Sequence, residues 1–187
     1  MEKLALAMMD DLKEKNVWKL YHDLELPLSL ILAHMEDEGV RIDVNALQKL
    51  SQECDARIKE ISAKLYAMAG SEFNLNSPKQ LSDVLFVKLK LPVIKKTKTG
   101  YSTDEEVLSR LAAKHDIAQV ILDYRQVSKL KSTYIDALPK LVNVQTNRLH
   151  ATFNQAGAET GRLSSNNPNL QNIPIRTELG REIRRAF

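Results

Sequence analysis

One stretch of this sequence, from Gln155 to Arg176, is rich in amide and guanidinium side chains. Asn and Gln offer both hydrogen-bond donors and acceptors, Arg offers a planar fork of donors, and neither kind of group has to lose a proton to act. Such a set is typical of a recognition surface and not of a catalytic centre. It can bind the acceptors that every base pair presents in the minor groove of DNA, without regard to sequence.

Basic residues end this stretch and follow it, at Arg176 and in a tail that contains Arg181, Arg184 and Arg185. Their charges are suited to backbone phosphates. The alternative interpretation is a structural loop held by its own hydrogen bonds. That alternative explains several of the Asn residues but explains Arg162 poorly.

A second polar group is predicted on a helix. At about 100° per residue, Lys129 lies about 40° from Arg125 around the helix, and Ser132 lies about 20° in the other direction. These three residues form one outward edge, whereas Lys131 points toward the apolar side. Asp136 falls on the same edge and weakens a purely phosphate-binding interpretation. An ordinary solvated helix face remains the alternative.

Apolar periodicity, caps and breakers predict the elements that position these residues. Pro27 is expected to open a helix that Gly39 stops, and Asp43 to cap the long helix that Gly70 ends. Residues 40–43 are predicted to be extended. The predicted helices cover residues 2–15, 16–23, 27–38, 44–69, 78–88 and 104–114, and a second long helix runs from Asp116 through Leu138.

The two long helices, 44–69 and the one from Asp116, carry apolar stripes that predict antiparallel packing. Between them, Ser77 caps a helix, and Thr103 with Glu106 is expected to form a capping box. The lysine-rich stretch from Lys88 to Lys98 is predicted to be an exposed loop that cannot pack as a core element.

The pattern changes after Asn147. Leu149 to Gln155 alternates apolar and polar residues as a strand does, and the content of Asn, Ser and Pro from Ser164 to Pro174 predicts no regular structure there. A domain boundary is therefore expected near residues 143–149.

Composition indicates a helix-rich globular protein of 187 residues, with six Gly, six Pro and a single cysteine, Cys54. One cysteine forms no internal disulfide and supplies no zinc set, and the apolar run from Leu4 to Met9 is too short for a signal peptide. We therefore expect a cytoplasmic protein without a membrane partner. Residues 1–70 carry 9 basic and 13 acidic side chains, and residues 71–187 carry 18 and 11, so the second part is the one suited to a polyanion.

A series of motifs runs in order from about residue 20 to the end of the chain. They are Leu26-Pro27-Leu28, Met35-Glu36, Gly39-Val40, Phe73-Asn74-Leu75-Asn76-Ser77, Lys129-Leu130-Lys131-Ser132-Thr133-Tyr134, Thr160-Gly161-Arg162-Leu163-Ser164-Ser165, Pro168-Asn169-Leu170-Gln171-Asn172-Ile173-Pro174-Ile175-Arg176 and Arg184-Arg185-Ala186-Phe187. Together they resemble the thumb and the entrance to the palm of family A DNA polymerases, the bacterial DNA polymerase I type. The segment 156–159 departs from the family pattern, where many relatives carry threonines and small residues.

The resemblance implies a mainly α fold: a helical thumb of two long antiparallel helices with a small helical tip, followed by a short β or irregular segment of the palm. It also implies domains at 1–23 (the end of an exonuclease-like domain, or a linker), 24–148 (thumb) and 149–187 (the N-terminal part of the palm).

Site residues follow from the same resemblance. Arg162 is similar to the arginine that reaches the minor groove at the primer terminus, and Asn169, Gln171, Asn172 and Arg176 are similar to contacts with template and duplex near it. The thumb residues expected to hold backbone phosphates are Asn74, Asn76, Ser77, Lys98, Ser102, Thr103, Arg125, Lys129 and Ser132.

The family's metal-binding carboxylates follow the Arg184–Phe187 segment, so no catalytic or metal-binding residue is expected in this chain. Mg²⁺ is expected for the complete polymerase, and the chain alone is predicted to be inactive. The expected partners are duplex primer–template DNA and the rest of the palm and fingers, around a monomeric chain that serves DNA replication and repair. The alternative is a stand-alone nucleic-acid-binding or helical scaffold protein, which would not be expected to end on the apolar residues Ile183 and Phe187.

Overall fold

The structure is a computed structural model that describes residues 2–97 and 100–187, and most of these residues are helical. The α-helices are α1 Glu2–Glu14, α2 Trp18–Leu20, α3 Leu26–Glu38, α4 Val44–Ala69, α5 Pro78–Ser82, α6 Glu105–Ala112, α7 Asp116–Leu130 and α8 Glu178–Arg185. Wider π turns occupy Tyr21–Glu25, Asp83–Lys88 and Lys131–Ile135, and a 3₁₀ turn occupies Leu138–Leu141. The predicted mainly α fold is confirmed.

Two antiparallel pairs of strands complete the described structure. Strand β1 (Lys96–Thr97) pairs with β2 (Gly100–Tyr101), and β3 (Thr152–Asn154) pairs with β4 (Ser164–Asn166). The chain folds as two compact units. One contains the residues up to Asp43, Leu138–Ile175 and Phe187, and the other contains Val44–Ala137 and Arg176–Ala186. The assignment of residues to thumb and palm stays a prediction.

In the first unit, the helical backbone runs without a break from Trp18 to Glu38. The α-helix α3 begins beside Pro27 as predicted, but the proline does not open a separate helix. Proline lacks an N–H and its ring crowds the carbonyl four residues earlier in a regular α-helix. Here a π turn precedes the proline, and the Leu26 N–H donates to the Tyr21 carbonyl. Because this turn is wider, the helix continues through the proline.

Gly39 ends α3 with φ 65° and ψ −178°, a region that glycine alone occupies without strain. A Cβ atom at this position would lie 2.7 Å from the Leu149 carbonyl oxygen. The backbone at Gly39 therefore lies very close to the backbone at Leu149. Next to this contact, Val40 and Leu149 exchange two main-chain hydrogen bonds of 2.8 Å. The predicted stop at Gly39 is confirmed, and the extended segment after it has Leu149 as its partner.

Strands β3 and β4 pair with Asn154 opposite Ser164. The predicted strand from Leu149 to Gln155 is present in part, as β3. The prediction that Ser164 to Pro174 has no regular structure is wrong for Ser164–Asn166, which form β4. Ser and Asn have little intrinsic preference for strands. An adjacent strand that offers its main-chain groups as hydrogen-bond partners outweighs this low propensity.

In the second unit, α4 and α7 pack antiparallel, as predicted. Ser51, early in α4, bonds to Asp136, which follows the end of α7. Further along α4, Leu65 is fully buried in a core that also contains Leu108 and Ile121. The predicted bounds of α4 are confirmed, but the second long helix is not regular through Leu138, because α7 ends at Leu130 and a π turn follows.

The segment between the two long helices differs from prediction in two places. The lysine-rich stretch from Lys88 to Lys98 is not simply an exposed loop, because Leu91 and Ile94 pack against the core and Lys96–Thr97 form β1. The N-cap of α6 is Asp104 and not Thr103, since the Asp104 carboxylate accepts from the Val107 N–H at 2.9 Å.

Across residues 2–97 and 100–187, every helix is either too short or too polar to cross a lipid bilayer.

Candidate nucleic-acid interface

The outward edge predicted on α7 has an exposed part, formed by Lys129 and Ser132. The Ser132 hydroxyl donates to the Lys129 carbonyl oxygen at 3.2 Å. Both side chains are exposed to solvent near the start of the π turn. A flexible ammonium group and a neighbouring hydroxyl in this arrangement are suited to a phosphate oxygen.

Asp136 does not share that edge, which corrects the prediction from a regular helix. Its carboxylate accepts from Lys131 Nζ at 2.7 Å and from the Ser51 hydroxyl at 2.7 Å, and Lys131 also lies 3.3 Å from Asp55. The π turn changes the angular position of every residue after Leu130, so 100° per residue no longer applies. The hydrogen bond to Asp136 raises the pKa of Lys131. Two of the three charged groups in this cluster are acidic, so Lys131 is already paired.

Arg125 lies at the inner end of the same edge and is half-buried. Its guanidinium donates to the Thr103 carbonyl oxygen and, at 3.2 Å, to the Thr103 hydroxyl. Burial lowers the pKa of this guanidinium, although the group stays protonated at neutral pH. Thr103 and the preceding Ser102 are both buried, and the Ser102 hydroxyl accepts from the Asp104 N–H.

A cavity of about 780 Å³ brings four of the predicted site residues together. They are Ser77, Ser102, Thr103 and Arg125. Lys79, Asp83, Tyr101 and Asp104 also contribute to its wall. The carboxylate of Asp104 is paired with Lys95 at 2.9 Å, and its pKa lies at about 2 because it accepts hydrogen bonds from Val107, Lys95 and Ser102. The wall therefore carries both signs of charge.

The loop before α5 uses its amides to hold its own backbone. The Asn74 side chain accepts from the Asn76 N–H at 2.9 Å, and the Asn76 side chain accepts from the Tyr124 hydroxyl at 3.3 Å. Ser77 caps α5 by accepting from the Gln80 N–H. Asn74 and Asn76 are still exposed, so their amide groups face solvent as well.

In the first unit, Arg162 lies on the loop of residues 155–163 that joins β3 to β4. The arginine is exposed. The loop folds back at Gly157, where a Cβ atom would lie 2.3 Å from the Ser164 hydroxyl oxygen. No side chain larger than hydrogen fits there without movement, so the loop passes directly over the first residue of β4.

The segment after β4 is organised by internal hydrogen bonds, as the structural-loop alternative predicts. Fully buried Ser165 donates to the Pro168 carbonyl oxygen at 3.0 Å and accepts from the Leu170 N–H. The Gln171 side chain donates to the Leu163 carbonyl oxygen at 2.9 Å, and its N–H donates to the Asn169 side chain. Asn169, Gln171 and Asn172 are nevertheless exposed.

Arg176 belongs to the second unit, where it is exposed just before α8. Its carbonyl oxygen accepts from the Arg181 guanidinium, and Thr177 caps α8 by accepting from the Gly180 N–H. Arg185 pairs with Glu182 on the same helix. Lys98, also predicted as a phosphate contact, lies outside the described residues.

Two glutamates of the first unit that no sequence pattern indicated hold β3 and the residue after it. The Glu36 carboxylate accepts from the Phe153 N–H at 2.5 Å. Glu25 accepts two hydrogen bonds from the Gln155 amide. No signal in the sequence relates residues that lie more than a hundred positions apart.

Among the residues that the structure describes, no group of three or more His, Cys, Asp or Glu side chains is placed to hold a metal ion. The exposed residues among those predicted carry cations, amides and hydroxyls, which are groups that can bind phosphate oxygens and hydrogen-bond acceptors.

Comparison with known proteins shows similarity over the whole chain. A family model described as DNA polymerase family A matches residues 44–187. The chain is 51% identical over 186 residues to DNA polymerase I of Bacillus subtilis (strain 168). The aligned region covers 100% of this chain and 21% of that protein. It is 54% identical over 177 residues to the thermostable DNA polymerase I of Thermus thermophilus, covering 94% of this chain and 21% of that protein.

One solved structure matches this chain with a TM-score of 0.88 and 45% sequence identity. The match covers 99% of this chain and 33% of the chain in that structure. It is the POL domain of Pol1 from M. smegmatis in complex with DNA primer-template and dNTP. The chain spans about a fifth, 21%, of the length of the first curated relatives that it matches.

Proposed function

The chain belongs to family A of the DNA polymerases, and from that premise we propose that it grips primer–template duplex DNA as the thumb and palm entrance of a DNA polymerase I. In this proposal residues 24–148 are the thumb and residues 149–187 begin the palm. The whole enzyme is a DNA-directed DNA polymerase of replication and repair. The solved relative that binds DNA primer-template supports a duplex as the ligand.

The observation that carries the proposal is the exposure of Arg162 and Lys129. Other basic side chains, such as Lys131 and Arg148, are held in ion pairs with carboxylates. Arg162 and Lys129 face solvent instead. In the proposal Lys129 takes a backbone phosphate, and Arg162 takes a minor-groove acceptor at the primer terminus.

Besides Arg162, the predicted residues that the structure describes fall into two groups. Lys129, Ser132, Arg176, Asn74 and Asn76 are exposed and are proposed as direct contacts, as are Asn169, Gln171 and Asn172. Ser77, Ser102, Thr103 and Arg125 line the cavity, so a DNA contact by this group has to be made at the cavity mouth.

We assign no catalytic role to this chain alone. The complete enzyme is expected to use Mg²⁺, which would support nucleotidyl transfer to a primer, but the proposal gives none of the described residues the role of a metal ligand. The chain by itself should incorporate no nucleotide on primed template with Mg²⁺. Incorporation that a substitution within this chain abolishes would contradict this part of the proposal.

The test of the main proposal compares Arg162→Ala with the unaltered protein. Duplex binding by the chain should be weak, should show little sequence preference and should weaken with salt. The salt dependence of Arg162→Ala should stay nearly unchanged, because a minor-groove contact releases few counterions.

In the polymerase that contains this chain, Arg162→Ala should slow primer extension far more than it lowers duplex affinity, because misplacing a reacting group by about 1 Å costs on the order of a hundredfold in rate. Unchanged extension would refute the assignment of Arg162.

A further inference from the structure

Gln155 begins the loop that carries Arg162, immediately after β3. Its side-chain Nε2 donates to the Glu25 carbonyl oxygen at 2.9 Å and to the Glu25 carboxylate at 2.8 Å. The amide of Gln155 has two N–H donors, and Glu25 accepts both. Although Gln155 lies within the polar stretch, its amide therefore has no donor left for a DNA base.

The strand that leads into Gln155 is held by the same helical run. The Glu36 carboxylate accepts from the Phe153 N–H at 2.5 Å, two residues before Gln155. Two glutamates on the helical segment Trp18–Glu38 thus receive β3 and the first residue of the loop. Hydrogen bonds to a carboxylate are about twice as strong as those between neutral groups, so this attachment is a firm one.

The other end of the loop is held separately. Gln171 donates to the Leu163 carbonyl oxygen at 2.9 Å, next to Arg162. Between these two attachments, Gly157 packs against Ser164 so closely that an added methyl group would have to displace the Ser164 hydroxyl. Arg162 is exposed on a loop that is fastened at both ends and folded over its own strand.

We propose that Gln155 is a positioning residue for Arg162: by donating to the carbonyl and to the carboxylate of Glu25, it sets the path of residues 155–163 and so the place from which the guanidinium reaches DNA. This inference rests on the proposed function of Arg162. A side chain that acts at a reacting centre loses rate when its support shifts by a fraction of an ångström, even if it still binds. Gln155 therefore affects the rate of extension and not the affinity for duplex.

The test is a double-mutant cycle in the polymerase that contains this chain. Gln155→Ala should slow single-nucleotide extension about five- to tenfold while duplex affinity changes less than about twofold. The double variant Gln155→Ala/Arg162→Ala should be no slower than Arg162→Ala alone, because the loosened loop then has no guanidinium to misplace.

Arg148→Ala is the matched control. Arg148 also belongs to the first unit, where it pairs with Glu38 and donates to the Glu38 and Gly39 carbonyl oxygens, none of which belongs to the loop of residues 155–163. Any slowing that it causes should multiply with that of Arg162→Ala, as expected of independent sites. This control separates general destabilisation of the unit from an effect that acts through Arg162.

Two further variants keep the test decisive if Gln155→Ala folds poorly. Glu25→Gln keeps the main-chain acceptor and the shape of the side chain, and should slow extension in the same non-multiplicative way. Gln155→Glu places a second carboxylate against that of Glu25 and should slow extension more than Gln155→Ala does. Adding Glu25→Gln to this variant should recover part of the extension rate.

Multiplicative losses for Gln155→Ala and Arg162→Ala, or normal extension by Gln155→Ala when Arg162→Ala is slow, overturn the positioning role alone. Normal extension by Arg162→Ala overturns the proposed function together with this inference.

Discussion

Arg125 on α7 donates hydrogen bonds to both the carbonyl oxygen and the hydroxyl of Thr103, which lies 22 residues earlier in the chain. The guanidinium thus joins the long helix to the segment that precedes α6. A planar fork makes this two-point contact, whereas an ammonium group does not reproduce its geometry. Arg125 therefore supports the structure of the cavity wall, whatever it contributes to DNA binding.

We expect Arg125→Lys to lower the free energy of unfolding by about 1–2 kcal/mol, because one charge-assisted hydrogen bond is lost and a half-buried charge is left poorly paired. Urea unfolding followed by circular dichroism measures this change. Lys129→Arg, a conservative exchange at an exposed position of the same helix, is the control and should change stability by less than about 0.5 kcal/mol. Equal effects of the two exchanges would show that the contact with Thr103 adds no stability.

Lys129 and Lys131 are separated by one residue, but their surroundings differ. Lys129 is exposed, whereas Lys131 is paired with Asp55 and Asp136. Lys129→Ala should weaken duplex binding and reduce the slope of log affinity against log salt by about 0.9, the value for one lost phosphate contact. Fluorescence anisotropy with a labelled duplex at several salt concentrations measures the slope.

Lys131→Met is the matched variant for that experiment. It removes the same charge but should leave the salt slope nearly unchanged. It should instead lower the free energy of unfolding by about 1–2 kcal/mol, because two carboxylates near Ser51 lose this cation. If Lys131→Met reduced the slope as much as Lys129→Ala, net charge and not position would determine binding.

Asp104 predicts a specific dependence of stability on pH. Its pKa is about 2 in the folded protein, below the ordinary value of 3.8, mainly because it accepts a hydrogen bond from the Val107 N–H and further bonds from Lys95 and Ser102. A depressed folded-state pKa contributes stability that is fully present above the unfolded value, and this contribution is lost as pH falls through about 4 to about 2. Acid should therefore destabilise the second unit, where Asp104 caps α6.

The test measures urea midpoints between pH 5 and pH 2. Asp104→Asn keeps a residue that caps helices well but removes the titration, so its midpoint should fall less steeply over this window. Lys95→Met removes the second cause of the shift and should give an intermediate slope. Parallel curves for all three proteins would exclude Asp104 as a source of the acid sensitivity.

Gly39→Ala should destabilise the first unit. The added methyl group meets the Leu149 carbonyl oxygen at 2.7 Å and the His150 ring at 2.9 Å, and the backbone has φ 65°. We expect a loss of about 2–4 kcal/mol from the clash and the strain together. Gly161→Ala is the control, because Gly161 has φ 73° but nothing within 4 Å of the new methyl group. It should cost only about 1 kcal/mol, and thermal unfolding of both variants measures the difference.

Local features of the sequence predicted much of the helical structure. The apolar spacing along residues 44–69, the aspartate and serine caps and the glycine stops act between residues a few positions apart, so α4 begins and ends where they indicate. The exposed position of Lys129 followed from helix geometry in the same way. The resemblance of the motifs led to the family, which the comparisons confirm.

Local sequence patterns do not predict the structure where the backbone departs from a regular helix or pairs with a segment outside that helix. The π turn after Leu130 moves Asp136 to a bond with Ser51, and 100° per residue does not anticipate it. Strand β4 forms from polar residues because β3 offers a main-chain partner. The deciding contacts join residues 10 to 14 positions apart in the strands and 85 positions apart for Ser51 and Asp136, beyond the range of helix periodicity.

The sequence alone determined which groups are available: cations, amides and hydroxyls in an order typical of one polymerase family. Only the tertiary structure decided which of them are already occupied. Lys131, Gln155 and Thr103 are chemically as suited to DNA as Lys129 and Arg162, but each has an internal partner 5 to 130 residues away. The physical reason is that folding decides which partner lies next to each hydrogen-bonding group. The spacing of residues in the sequence does not show which groups become neighbours.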